Sequence, residues 1–559
     1  MIERFLTKQA CPASEGQYAM PDAKSPDAPA LDPDQDKSTL APLRRPVFRM
    51  LWSTWLMANI CMWMNDVAAA WLMTSLTTKP IWVALVQTAA TLPVFLLGLP
   101  SGALADILDR RRYFLMTQIW IAGVAMLLCA AIVLDLVTPP LLLALVFFNG
   151  IGLAMRWPVF SAIVPELVPR AQLPAALALN GVSMNASRIV GPLVAGALIA
   201  SAGSEWVFVL NAVLSLASAI IIWRWKREHV PNPLGREKLW SAMRVGVQFV
   251  SQSARLRAVF LQVFLFFFHS TACVSMLPLL AQGLEEGGAG TFTLLLATMG
   301  VGAILAALAL PRLRQRLSRD HLVLGGTALQ SAGMLVMAMT SHLYFAVPAM
   351  FVFGVAWIST ANSLSVSAQF SLPDWVRARG MSIYQMAIMG GSAMGAALWG
   401  QLATVTDVHL AVGVASVTGV LLAALAQRHN RDRGIEEDMT PSRVIQRPVA
   451  EAPPSSGHLM VHIEYLIDPS RSDDFRALMQ ESRRSRLRQG ALAWELLHDI
   501  TEPGRFVEQV IDESWTDHLR RFDRVTGADV ALRERKLAFH VAEAPPRVTR
   551  YVLESTAHT

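Results

Sequence analysis

The sequence predicts an all-α membrane protein of about 12 transmembrane helices in two six-helix halves, followed by a small α+β, ferredoxin-like domain. Three observations predict it. Between Met50 and Gln427 the chain is a succession of apolar stretches, each near the roughly 20 residues that a helix needs to cross the hydrocarbon core. The short polar connections between them alternate between arginine-rich and arginine-poor. Beyond Arg428 the composition turns polar and the apolar residues take up strand and helix periodicities.

Composition agrees. The chain is 53% hydrophobic and 16% charged, with a mean hydropathy of +0.40, which suits lipid better than a soluble core. The net charge of +6 sits in loop arginines, not in a basic stripe with interleaved aromatics, so nucleic acid is not an expected partner. Cys61, Cys129 and Cys273 fall in apolar spans and Cys11 in a polar tail, with no disulfide framework or metal-ligand spacing. No metal or cofactor is expected.

In chain order, residues 1–42 are rich in Pro, Asp, Ala and Lys and lack an apolar core, so they read as a disordered tail. The N-terminal half, 43–225, holds spans at 50–75, 81–104, 113–136, 140–164, 175–201 and 206–225. A basic linker, 226–256, leads to the second half, 257–428, with spans at 257–281, 290–311, 321–341, 343–368, 376–402 and 407–427. A Pro-rich linker, 429–456, precedes the α+β domain at 457–559. One set of connections carries Arg44, Arg45 and Arg49, Arg110 to Arg112, Arg170, Lys226, Arg227, Arg236 and Lys238. The same set continues with Arg312, Arg314, Arg316 and Arg319, then Arg377, Arg379, Arg428 and Arg431. The other set offers Lys79, Asp135, Glu205, Glu285, Glu286 and Asp407. The positive-inside bias places both termini in the cytoplasm of a bacterium and the spans in its inner membrane.

The stretch from Gly102 through Asp106 and Asp109 to Arg110, Arg111 and Arg112 resembles the loop signature between the second and third helices of the major facilitator superfamily. The resemblance implies a cytoplasmic gate in which the Asp106 carboxylate faces the first turns of the eleventh span, near Arg377 and Arg379. The matching loop of the second half, Pro311 to Asp320, keeps the arginines but lacks the Gly-to-Asp frame. In the fifth span, Gly191, Pro192 and Gly196 look like the helix-bending motif of drug-exporting members, which implies export. Phe48-Arg49-Met50-Leu51-Trp52, Trp63-Met64-Asn65-Asp66-Val67-Ala68 and Pro165-Glu166-Leu167-Val168-Pro169-Arg170 narrow the resemblance to the transmembrane secretion effector branch, which includes enterobactin-exporter-like proteins.

Ionisable residues inside spans are functional candidates, because each costs about 2.5–3.5 kcal/mol at a helix centre. Asp66 is the acid lying clearly within an apolar span and is the candidate proton carrier. Arg156 and Arg188 are either its ion-pair partners or contacts for an anionic substrate. Asn59, Asn149, His269, Tyr384 and Gln385 are candidate cavity residues, with interhelical hydrogen bonding as the alternative role of each. Gly391 and Gly395 form a small-xxx-small pair that permits close helix contact.

In the tail, Leu459, Val461, Ile463 and Tyr465 alternate as a strand, and Phe475, Leu478 and Met479 mark a helix face. Strands follow at Trp494–Asp499 and Arg505–Ile511, then a helix capped by Ser514 and a last strand at Val548–Leu553. The segment resembles the antibiotic-biosynthesis-monooxygenase type of dimeric α/β barrel around Trp515 and His518, which implies dimerisation through this domain. His458, His462, His498 and His518 match no metal spacing.

The expected function is secondary active export of a small organic molecule, a siderophore or drug-like amphiphile, by alternating access in exchange for protons. The alternative is a membrane-anchored enzyme or sensor whose activity lies in the C-terminal domain.

Overall fold

A computed structural model describes residues 40–169, 172–225, 239–285, 287–430, 438–440, 442, 444–445, 448 and 457–554. The expected N-terminal tail up to residue 39, the basic residues Lys226, Arg227, Arg236 and Lys238, and most of the Pro-rich linker lie outside the described residues.

The first half comprises α1 (Pro46–Leu76), α2 (Pro80–Ile107), α3 (Arg110–Val133), α4 (Pro139–Leu167), α5 (Leu173–Ser201) and α6 (Ser204–Arg224). Proline opens α1, α2 and α4, where its missing N–H would be unsatisfied anyway. Asp109 caps α3, its carboxylate accepting from the Arg112 backbone N–H at 2.9 Å. The second half comprises α8 (Ala254–Gln282), α9 (Ala289–Arg316), α10 (Arg319–Met339), α11 (Leu343–Phe370), α12 (Asp374–Val405) and α13 (Val408–Asn430). Between the halves lies α7 (Leu239–Gln252), within the stretch that the sequence presents as a linker. This helix is amphipathic: Val245 and Phe249 are buried, while Arg244 and Gln248 turn their polar groups toward the C-terminal domain.

Among the described residues, ten of the long helices are apolar enough over a sufficient length to cross a membrane. The two that fall short are α1 and α12, which at 31 and 32 residues are the longest described. Asn59, Asn65 and Asp66 dilute α1, and glycines and Ser392 dilute α12. Helices that carry polar and glycine residues at membrane depth turn them toward neighbours. Accordingly α1 packs on α5 and α6, and α12 lies between α2 and α8.

The halves meet along α2–α12 and α5–α9. On α12, Gly390 and Gly400 face Phe95 and Ala84 of α2, while Gly391 and Gly395 face the Phe264 and Phe268 carbonyls of α8. A Cβ at Gly391 would sit 2.5 Å from the Phe264 oxygen, so only glycine permits this approach. At the end of the bundle away from the arginine loops, one apolar core runs through both halves, from Met64 and Val83 to Met276 and Ala411. At the arginine-loop end the core splits in two, one cluster around Phe48 and Phe160 and another around Phe260 and Leu372. The halves are thus sealed together at one end and packed separately at the other.

The C-terminal domain runs β1 (Leu459–Leu466), α14 (Ser472–Arg488), β2 (Ala493–His498), β3 (Arg505–Asp512), α15 (Trp515–Phe522), α16 (Gly527–Leu537) and β4 (Arg547–Val552). Its antiparallel sheet has the order β2-β3-β1-β4, the ferredoxin-like arrangement expected from the β-α-β-β-α-β pattern, with the second helix divided into α15 and α16. Pairing runs from Leu459↔Asp512 to Leu466↔Arg505 between β1 and β3. Strand β3 buries Phe506, Glu508, Val510 and Asp512 on one face, so the alternation carries two carboxylates inward. The domain rests on α7. Arg244 bonds Glu513 at 3.0 Å, Gln248 donates to the Ala491 carbonyl at 3.2 Å, and Arg524 stacks over Trp375 of α12 at 4.8 Å.

Candidate transport cavity and gate

A cavity of about 650 Å³ lies between the halves, walled by α1, α2, α5, α8, α9 and α11. Most of its lining is apolar, including Phe292, Leu296 and Met299 of α9. Into this surface project Asp66 and Trp63 of α1, Arg188 of α5 and Trp357 of α11. The Arg188 guanidinium lies over the Trp63 ring at 5.4 Å and over the Trp357 ring at 6.0 Å, so one side chain is held by aromatic faces from both halves. Four buried polar atoms lack a hydrogen-bond partner among the described residues here: Asp66 Oδ1, Trp63 Nε1, Arg188 Nε and Trp357 Nε1. Buried polar groups are nearly always paired, so such a cluster marks capacity held for water or a ligand. On the flank between α5 and α9 the lining residues Val182, Ile304 and Leu308 are exposed, so the cavity opens to the outer surface of the bundle there.

The sequence candidates separate in space. Asp66 and Arg188 share the cavity, and Pro192, inside α5, lines it too. No ion pair joins Asp66 to Arg156 or Arg188 among the described residues. Arg156 is 2% exposed and turned into the first half. Its Nη atoms donate to the Ala58 carbonyl and to Asn59 Oδ1, both at 3.3 Å, and it lies over Trp55 at 5.3 Å. Asn59 is therefore engaged with Arg156 and is not a described lining residue. His269 is buried against Gly419 and Trp399, with Nδ1 2.7 Å from the Leu265 carbonyl, in a small separate void. Tyr384 donates to the Ala361 carbonyl at 3.4 Å and packs edge-on to Phe260. Asn149 is buried in α4 and Gln385 is half-buried in α12, and neither is among the cavity's described lining residues. Trp63, Gln87 and Trp357 line it without having been singled out for that role. Trp63 opens the Trp63-to-Ala68 motif, whereas nothing local in the sequence marks Trp357.

At the arginine-loop end, Gly102 packs near Ser382 of α12 and Pro158 of α4, and Gly98 faces Met386. Asp106 is helical, and its side chain lies outside the described residues. Arg111 reaches α6, bonding the Trp223 carbonyl and, at 3.5 Å, the Ile222 carbonyl, where a cation complements the helix C-terminus. Arg110 lies within the first turn of α3 and Arg112 is exposed. In α5, a Cβ at Gly191 would meet Trp63 Cβ at 2.5 Å, so glycine brings α5 against α1 beside Asp66. Gly196 sits against Thr293 of α9, at the contact between halves.

Residues 37–558 match the family model of transmembrane secretion effectors. The chain belongs to that family. Transmembrane secretion effectors are transporters, not enzymes, and the relatives of this chain agree. It is 21% identical over 254 residues to the staphyloferrin A transporter of Staphylococcus aureus (strain NCTC 8325 / PS 47), covering 45% of this chain and 63% of that protein. The uncharacterized MFS-type transporter YfiS of Bacillus subtilis (strain 168) is 25% identical over 348 residues, covering 60% of this chain and 81% of its own length. The putative multidrug resistance protein MdtD of Salmonella typhi is 31% identical over 146 residues, or 26% of this chain and 30% of that one. Among solved structures, the nucleoside transporter NupG aligns with a TM-score of 0.54 at 12% identity, covering 68% of this chain and 99% of its own. A bacterial homologue of the human lysosomal transporter Spinster, inward-facing and unoccupied, aligns with a TM-score of 0.54 at 13% identity, covering 71% and 97%. At such identities the structures share the fold.

Proposed function

We propose that this secretion-effector family member is a secondary active exporter of a small amphiphilic organic molecule, siderophore-like or drug-like, driven by proton exchange across a bacterial inner membrane. Both termini face the cytoplasm in this reading, and the halves 43–225 and 257–428 rock about the cavity between them. The observation that carries the reading is the group of unpartnered polar atoms on one apolar cavity, led by Asp66 Oδ1. Arg188 and the two indoles suit a ligand with an anionic or polar end and an aromatic or aliphatic body. The opening between α5 and α9 supports an amphiphile, since such a molecule partitions into lipid before it enters.

Proton coupling is assigned to Asp66 and charge recognition to Arg188, with Arg156 holding α4 to α1. Alternating access changes the water around the Asp66 carboxylate and with it the proton occupancy of that group. The loop from Gly102 to Arg112 serves as the gate, Asp106 closing it toward α12 and Arg111 tying it to α6. Gly191, Pro192 and Gly196 form the bend about which α5 moves between α1 and α9. Similarity to a staphyloferrin A transporter and to a putative multidrug resistance protein supports this substrate range.

The deciding experiment uses proteoliposomes with an imposed pH gradient and labelled candidate substrates. The wild-type protein should accumulate substrate against its gradient and acidify or alkalinise the lumen in step. Substrate movement that ignores the pH gradient would overturn the coupling.

A further inference from the structure

A second cavity, of about 330 Å³, lies inside the C-terminal domain between the sheet and its helices. Its floor is apolar, formed by Val461 and Ile463 of β1, Val510 of β3 and Val548 of β4. Its walls are cationic: Arg486 of α14, Arg521 of α15, Arg533 and Lys536 of α16, and Arg550 of β4. Asp529 is the one carboxylate among the described lining residues, and it is already engaged by the Thr526 backbone and hydroxyl at 2.9 and 2.8 Å.

Two further carboxylates stand behind the wall. Glu508 binds Arg486 at 3.0 Å and Lys536 at 3.2 Å, and Asp512 binds Arg521 at 2.7 Å. Five cations therefore face three carboxylates, which leaves a surplus of two positive charges around an apolar floor. Arg521 is 6% exposed, and its Nε has no hydrogen-bond partner among the described residues although both carboxylate oxygens of Asp512 bind its Nη1. A buried guanidinium with a spare donor on the wall of a cavity is an anion-recognition group, and the apolar floor selects an anion with a hydrophobic body.

We propose that this cavity binds an organic anion with an apolar body, at a site separate from the transport cavity. The site adjoins the contacts that hold the domain to the bundle. Ser485, Arg486 and Gln489 line it, and the next residue, Gly490, receives Arg244 of α7 on its carbonyl at 3.3 Å.

Calorimetric titration of the full-length protein in an uncharged detergent, with naphthalene-1-carboxylate and naphthalene-1-methanol as probes, tests this. In the Arg188→Ala protein, whose transport cavity has lost its cation, the acid should bind one-to-one and at least about tenfold more tightly than the alcohol, since charge-assisted bonds to arginine outweigh neutral ones. Arg533 and Arg550 are exposed at the rim, so the Arg533→Gln, Arg550→Gln pair should fold normally and weaken acid binding about tenfold or more. Lysine at both positions should restore the preference for acid over alcohol. Arg188→Ala, in the transport cavity, should leave acid binding in place. Equal affinity for acid and alcohol, unchanged acid binding in the glutamine pair, or loss of acid binding in Arg188→Ala would each overturn the proposal.

Discussion

The bundle and the C-terminal domain treat buried carboxylates in opposite ways. In the domain, Glu508 is fully buried and takes hydrogen bonds from Ser482 at 2.8 Å, Arg486 at 3.0 Å, Trp494 at 3.1 Å, Lys536 at 3.2 Å and Tyr465 at 3.3 Å. Burial pushes its carboxyl up, but Arg486, Lys536 and these bonds hold it well below the usual range. Asp512, likewise opposed by burial, is held at about 2 by Arg521 and His518. In the bundle, Asp66 and Arg188 each keep an unpartnered polar atom at the wall of a large cavity. A saturated charge is locked in one state and specifies structure, whereas a charge with spare bonding capacity can respond to a ligand, a proton or water.

The sharpest way to break this comparison is Asp66→Asn, which keeps shape but cannot carry a proton. Concentrative transport in energised vesicles should fall to background, at least about 100-fold, while downhill exchange persists. A mutant that pumps normally would make Asp66 as structural as Glu508. The reciprocal change, Glu508→Gln, should leave Arg486 and Lys536 without their anion and destabilise the domain by about 3–5 kcal/mol. Limited proteolysis of the full chain should then cut within 457–554 while the bundle stays intact; equal resistance to wild type would show that the network is not saturated.

A third prediction uses acid. The Asp512 pKa is depressed from 3.8 to about 2, so the folded domain binds protons less readily than the unfolded chain. Its stabilisation is fully present above pH 3.8 and is lost as the pH falls through about 2. Tryptophan fluorescence should report unfolding of the domain over that window, and Asp512→Asn should remove this part of the pH dependence. Gly391→Val on α12 adds volume against the Phe264 carbonyl and should cost about 1–3 kcal/mol by overpacking, visible as a lower melting midpoint of the bundle with the domain unchanged. The smallest effect is expected from Arg244→Ala, which removes the partly exposed pair with Glu513 and the bond to the Gly490 carbonyl. It should cost about 0–1 kcal/mol, read as faster protease access to α7.

Much of the architecture is legible without coordinates. Span lengths, the arginine alternation and the β-α-β-β-α-β pattern each arise from local physics: the thickness of the hydrocarbon core, the energetics of moving cations across it, and the alternation of a pleated strand. Those same rules single out Asp66 and Arg188 as costly at membrane depth. What they cannot assign is direction. Most of these helices are apolar around their whole circumference, so nothing local decides which side faces lipid, neighbour or cavity. Packing of all the helices together turns Arg156 toward Asn59 and His269 toward Trp399, and leaves Asp66, Arg188, Trp63 and Trp357 around one space. Helix α7 is a second case: its segment reads as a basic connection, and its apolar stripe has meaning once the bundle lies on one side and the C-terminal domain on the other. The cationic cavity is a third, because its arginines come from α14, α15, α16 and β4, whose distance in sequence conceals that folding gathers them over one apolar floor.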